Sequence, residues 1–150
     1  MIEPSSNADL RGPLHDANSV SWAVRAAAGR RLAASADAAG AAEALRRLLL
    51  DEGDTAVTQT TAEALLERRD VVGLRLVLEA LNVADDDTAD QLDDAITNIC
   101  RQSDRGVAQL EQFCRELAAE PAESIRNEAS AILLQLRRSS EGGQTGTRSS

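Results

Sequence analysis

The chain has 150 residues, 43% hydrophobic and 27% charged, enough to bury a core of its own and outside the composition of disordered chains. It carries one Trp, one Phe, no Tyr and no Lys, and Ala, Leu, Glu and Arg dominate; these are the strongest helix formers, while strand-favouring aromatics are scarce. A formal charge of -9 disfavours nucleic acid as a partner, since phosphate neutralisation needs basic surface.

No stretch approaches the roughly 20 consecutive apolar residues a membrane helix needs. The opening Met1-Ile2-Glu3-Pro4 lacks the basic and apolar regions of a signal peptide, and two cysteines make no disulfide framework. A cytoplasmic, all-α protein is expected, and Arg without Lys beside abundant Ala points to a high-GC bacterial source.

In chain order, residues 1–18 mix Pro4, Gly12 and Pro13 with Ser, Asn and Asp and read as a flexible leader. An Ala-rich helix follows from Ser19 to about Ala36, with Trp22 expected in its core face. Asp37 is placed as the cap of a helix carrying Leu45, Leu48 and Leu49. Asp54 or Thr55 opens the next, with Val57, Thr61, Ala62, Leu65 and Leu66 inward. Asp70 opens a very apolar helix bearing Val71, Leu74, Val77, Leu78 and Leu81, which implies burial on more than one side.

After Asp85-Asp86-Asp87 comes a helix with Leu92, Ala95, Ile96, Ile99 and Cys100 inward. Ser103-Asp104-Arg105-Gly106 breaks it. Val107, Leu110, Phe113, Cys114 and Leu117 make another stripe, then Pro121 starts a last helix with Ile125, Ala129, Ile132, Leu133 and Leu136. These helices form one domain over 19–137. From 138 to 150 no apolar residue remains, which reads as a disordered tail.

The stripes repeat. Val57, Thr61, Ala62, Ala64 and Leu65 superpose on Ile125, Ala129, Ser130, Ile132 and Leu133 at a shift of 68 residues. Leu92, Ile96, Ile99 and Cys100 fall near half that distance. Leu45 and Leu48 precede Leu78 and Leu81 by 33, and Cys114 and Leu117 follow those by 36. A two-helix unit of about 34 residues is the mark of a helical solenoid.

An aliphatic residue, small residues four and five on, and an aliphatic eight on resembles the second helix of HEAT and armadillo repeats. Ile125-Arg126 also resembles their usual aliphatic-Arg step, whereas Val57 precedes Thr58 and Leu92 precedes Asp93. The likeness covers about residues 37–137. It implies antiparallel pairs stacked as a short right-handed solenoid of about six or seven helices, working by protein–protein interaction.

Chemistry has little to stand on. Counted as a calcium loop from Asp85, the sixth and twelfth positions hold Asp90 and Ile96 where Gly and Glu are needed, so no metal is assigned. Asp87 and Asp90 read instead as cap and first turn of the following helix, where acids suit the dipole. Cys100 and Cys114 fall at apolar positions and read as buried thiols. His15, the one histidine, lies in the leader, so no nucleophile has a base beside it. Iron-dependent HEAT-like hydroxylases need several His-Glu pairs, and HEAT-like DNA glycosylases a basic groove; neither is present. No catalytic residue and no cofactor is expected.

The charge is the informative feature. Between Asp51 and Asp94 lie 13 acidic residues and three arginines, which accounts for essentially all of the excess. Asp85, Asp86, Asp87, Asp90, Asp93 and Asp94 exceed what capping requires and are the expected binding surface for a basic protein partner. An immunity- or inhibitor-type protein masking a nuclease-like toxin is a narrower form of that reading. An adaptor assembling through an apolar groove is the alternative.

Overall fold

A computed structural model describes the backbone over residues 6–149 and side chains over residues 10–140. Eight helices span those residues: α1 (Ser6–Asp16), α2 (Trp22–Ala33), α3 (Ala39–Leu49), α4 (Thr55–Leu66), α5 (Val71–Val83), α6 (Asp86–Cys100), α7 (Asp104–Leu117) and α8 (Glu123–Ser149). No strand occurs among them. None is long and apolar enough to cross a membrane.

The helix starts follow local chemistry. Side-chain oxygens of Asp54, Asp70, Asp85 and Ser103 accept from the amides of Ala56, Gly73, Thr88 and Gly106 at 2.8, 3.0, 2.8 and 3.0 Å. Each satisfies an amide that the first helical turn leaves unpaired. Ser21 does the same for Val24 in α2 at 3.3 Å.

Asp37 departs from its expected role. The α3 cap is Ala38, which makes no side-chain hydrogen bond. Asp37 accepts instead from Arg68 at 2.8 Å. That guanidinium also reaches the Ala33 carbonyl at 2.8 Å and Asp70 at 2.9 Å, so one side chain ties the α2–α3 turn to the α4–α5 turn.

Two terminal stretches also differ from expectation. The part of the leader that is described holds α1, whose Leu10 is buried and whose Leu14 packs on the core, and Ala17 just after it is buried too; residues 1–5 lie outside the described residues. Pro13 deletes one intrahelical bond of α1, but packing against α2 and α3 offsets the loss. At the other end α8 continues to Ser149, past Leu136, the last buried residue among the described side chains, so the expected tail is helical as far as it is described. Once a helix is nucleated, each further residue adds its own hydrogen bond.

The apolar stripes form one core. Leu45, Leu49, Val57, Leu65, Val77, Leu78, Leu92, Leu117 and Ile125 are buried to 1% exposure or less. Consecutive helices pack on one another; in addition α2 packs on α4 and α4 on α6, while α1, α3, α5 and α7 touch in that order. Polar contacts between like-placed helices and turns join residues 31, 33, 35, 35 and 38 positions apart: Arg68–Asp37, Arg46–Glu79, Arg68–Ala33, Asn98–Glu63 and Arg101–Ser139. The last helix departs from the series: α8 packs chiefly on α7 and α5.

Small residues set the α2–α4–α6 spacing. Ala28, Ala62 and Ala95 are buried at the seams, and a Cβ on Gly29 would collide with the Thr61 hydroxyl. Thr58 and Thr61 are themselves buried, with no hydrogen-bond partner for either hydroxyl among the described residues.

Glycine inside a helix costs roughly 1 kcal/mol relative to alanine, so Gly29→Ala on a free helix would stabilise. Here the collision reverses the sign, and the variant is expected to lose about 1–3 kcal/mol in urea unfolding. Thr61→Val keeps the shape but removes an unpaired buried hydroxyl, and should gain about 1 kcal/mol. A stabilising Gly29→Ala would show that α2 and α4 are not this close.

Candidate functional site

The six aspartates expected as a binding surface lie at the start and along the outer side of α6, and all are exposed. The cap is Asp85, not Asp87. Ala84 and Asp85 are extended (ψ 149° and 176°) and the chain turns helical at Asp86, which places Asp86 and Asp87 in the first turn. Hydrogen bonds from Thr88, its backbone amide first and then its hydroxyl, hold the Asp85 carboxyl below the ordinary carboxylate range.

Asp90, Asp93 and Asp94 have no capping work. Neither they nor Asp86 and Asp87 take part in an ion pair or a side-chain hydrogen bond among the described residues. Loss of solvent, then the charges of Asp90 and Asp94, push the Asp93 carboxyl above its usual range. Glu128 on α8 is pushed the same way, by burial first and by Asp93 second. The acidic surface thus extends onto a second helix.

Sequence reasoning missed Glu128. Its signal was the repeat itself: Glu128 stands 35 residues after Asp93, the same spacing as the Glu63–Asn98 contact. Below Asp93, α6 and α8 enclose a cleft of about 150 Å³ lined by Asp93, Ile96, Thr97, Arg101, Ile132 and Gln135. Its floor is apolar, and acid and Arg101 stand at its edges.

Comparison with family models, curated proteins and solved structures returns no match.

Other candidate groups are accounted for by packing. Cys100 and Cys114 are buried and unbridged. Burial, with Cys100 beside it, pushes the Cys114 thiol up to about 12, and burial also raises Cys100 against the pull of Arg69. Neither has appreciable thiolate at neutral pH, and the thiolate is the reactive form. His15 sits in the last turn of α1 with an exposed side chain. Among the described residues no three His, Cys, Asp or Glu side chains converge as a metal site.

Trp22 is not a core residue. It is 51% exposed at the first position of α2, one turn before the first buried residue, Ala26, and Val20 beside it is fully exposed.

The carboxylates divide by sign. Asp93 and Glu128 have folded pKa values above the ordinary ones, so the folded chain holds protons that the unfolded chain releases. Their contribution is full below the ordinary carboxylate range and is lost as pH rises through the raised values. Asp70 is the opposite: desolvation pushes it up, but hydrogen bonds from Arg68 and the Gly73 amide and the Arg68 charge prevail and lower it. Its contribution is present above the ordinary range and is lost as pH falls through the lowered value. Asp93→Asn and Glu128→Gln are therefore expected to raise the urea midpoint at neutral pH, by an amount that shrinks on acidification. Asp70→Asn should lower it, with the loss also shrinking on acidification. A neutral-pH loss in Asp93→Asn would mean the two carboxylates do not repel.

Proposed function

We propose that the chain is a non-catalytic protein-interaction module, a short HEAT-like solenoid whose acidic α6 surface docks a basic partner. The solenoid reading rests on contacts that recur about every 31–38 residues between like-placed elements. Stacked pairs of this kind cover one another's apolar faces and present a row of parallel helices for recognition.

The observation that carries the docking reading is the unmatched charge of Asp90, Asp93, Asp94 and Glu128. Several carboxylates elsewhere are neutralised by arginines: Asp51 by Arg25, Glu79 by Arg46 and Arg75, and Glu120 by Arg75. On α6 the carboxylates face one another instead, at a cost that a cationic partner relieves. Surfaces of opposite sign steer association and fix register more than they add affinity. Masking of a nuclease-like toxin is a narrower form of this reading, since an acidic surface competes with phosphate for basic residues.

One observation favours an apolar adaptor as a second reading. At the α7–α8 end a cleft of about 480 Å³ is lined by Val107, Leu133 and Leu136 between Glu111, Arg115, Arg137 and Ser140, and Leu134 nearby is 47% exposed.

Salt separates the two. With a partner captured from the native source and purified, affinity is expected to fall steeply as salt rises, because exposed charges are screened within a Debye length of about 8–10 Å. Asp90→Arg with Asp93→Arg should weaken binding by about a hundredfold or more, like charges in contact costing several kcal/mol. Binding indifferent to salt and to that reversal would leave the apolar cleft as the interface. Turnover of a substrate by the purified chain would overturn both.

A further inference from the structure

A different pocket, independent of the α6 surface, is basic. The α4–α5 turn and the first turns of α7 border an open surface cavity of about 290 Å³ lined by Arg69, Ser103, Arg105, Gly106 and Gln109. A smaller crevice of about 10 Å³, lined by Leu66, Leu74, Leu110 and Phe113, adjoins it; Arg69, Gly106 and Gln109 border both. The two guanidiniums come from separate elements, and neither forms an ion pair or a side-chain hydrogen bond among the described residues.

Acids are close by but committed elsewhere. Asp70 borders the crevice, with its carboxylate held by Arg68 and by the Gly73 amide. Asp104, in the first turn of α7, is exposed and does not line the cavity.

The backbone at Arg69 adds to this. Its φ is 59°, the one positive value at a non-glycine residue among those described. That left-handed conformation ends α4, a position where glycine is the usual residue because it carries no Cβ penalty. Keeping arginine there gives up stability to place a guanidinium beside the cavity. Close packing fixes the other wall: Gly106 is buried, and a Cβ on it would stand 2.7 Å from the Cys100 carbonyl oxygen.

We propose that this cavity binds a phosphate group through Arg69 and Arg105. A phosphate offers oxygens enough for two guanidinium forks approaching from different sides. Gln109 supplies a further amide donor, and the amide end of α7 favours negative charge. The cavity is open to solvent, so the ester group of a phosphate monoester can project from it while the phosphate oxygens meet the two guanidiniums.

The test is calorimetric titration of the full chain, at fixed ionic strength, with inorganic phosphate and separately with phosphoserine. Both should saturate a single site, phosphoserine more tightly, and shift the amide resonances of Gly106 and Gln109. Arg105→Gln should weaken both by about tenfold or more, the loss of a charge-assisted pair, with the melting temperature unchanged. Arg69→Gly should weaken both to the same degree yet raise the melting temperature by about 2–4 °C as the left-handed strain is relieved. Tighter binding of inorganic phosphate than of phosphoserine would assign the site to the free ion. An Arg69→Gly chain that binds like the parent, or a parent that responds no more to phosphate than to chloride, would overturn the proposal.

Discussion

Everything in this molecule hangs on how closely α4 lies to its neighbours on either side. The absence of a side chain at Gly29 lets α2 settle against Thr61, and Ala62 and Ala95 are buried at the same spacing on the way to α6. With larger residues at these seams the helices would stand further apart, and the leucines of α3, α5 and α7 would not reach across to fill the core. The Thr58 and Thr61 hydroxyls are the cost of this closeness, since buried oxygens without partners destabilise. Small size at those positions matters more than hydrophobicity.

The turns are fixed by charge. Arg68 engages Ala33, Asp37 and Asp70 together, and its guanidinium is held more firmly protonated, first by the hydrogen bond to Asp70. One cation thereby locks the ends of four helices without occupying core volume. Arginine suits this because its planar fork meets several acceptors in fixed geometry, which a lysine ammonium does less well. A chain with sixteen arginines and no lysine is equipped to make turn-to-turn links of this kind.

Much of the fold was legible because helical periodicity reports burial directly. The inward positions read from α3 to α8, such as Leu45, Val57, Leu78, Leu92, Cys114 and Ile125, are buried, and Asp54, Asp70 and Ser103 stand at the breaks where they were sought. Failures came where tertiary context overrode local rules. Helix α1 contains Gly12 and Pro13, both weak helix residues, and forms because Leu10 and Leu14 find a partner surface. Asp37 left its cap because Arg68 made a better offer from a distant turn. Trp22 looked like core by residue type but stands half-exposed in the first turn of α2. At the acidic surface the six aspartates were legible and Glu128 was not, because its approach to Asp93 is set by how α8 packs and not by the pattern of either helix alone.

The distribution of charge separates what the fold needs from what it merely tolerates. Burying the stripes and linking the turns consumes Arg25, Arg46, Arg68 and Arg75, each beside an acid that neutralises it. Asp90, Asp93, Asp94 and Glu128 fall outside that economy: they cap nothing and pair with nothing described, and the Asp93 and Glu128 carboxyls are pushed above their usual range. Neutral polar residues there would leave the helix intact and the chain more stable. The fold thus holds like charges together against their repulsion at α6 and α8, while its turns and helix seams are joined by pairs of opposite sign.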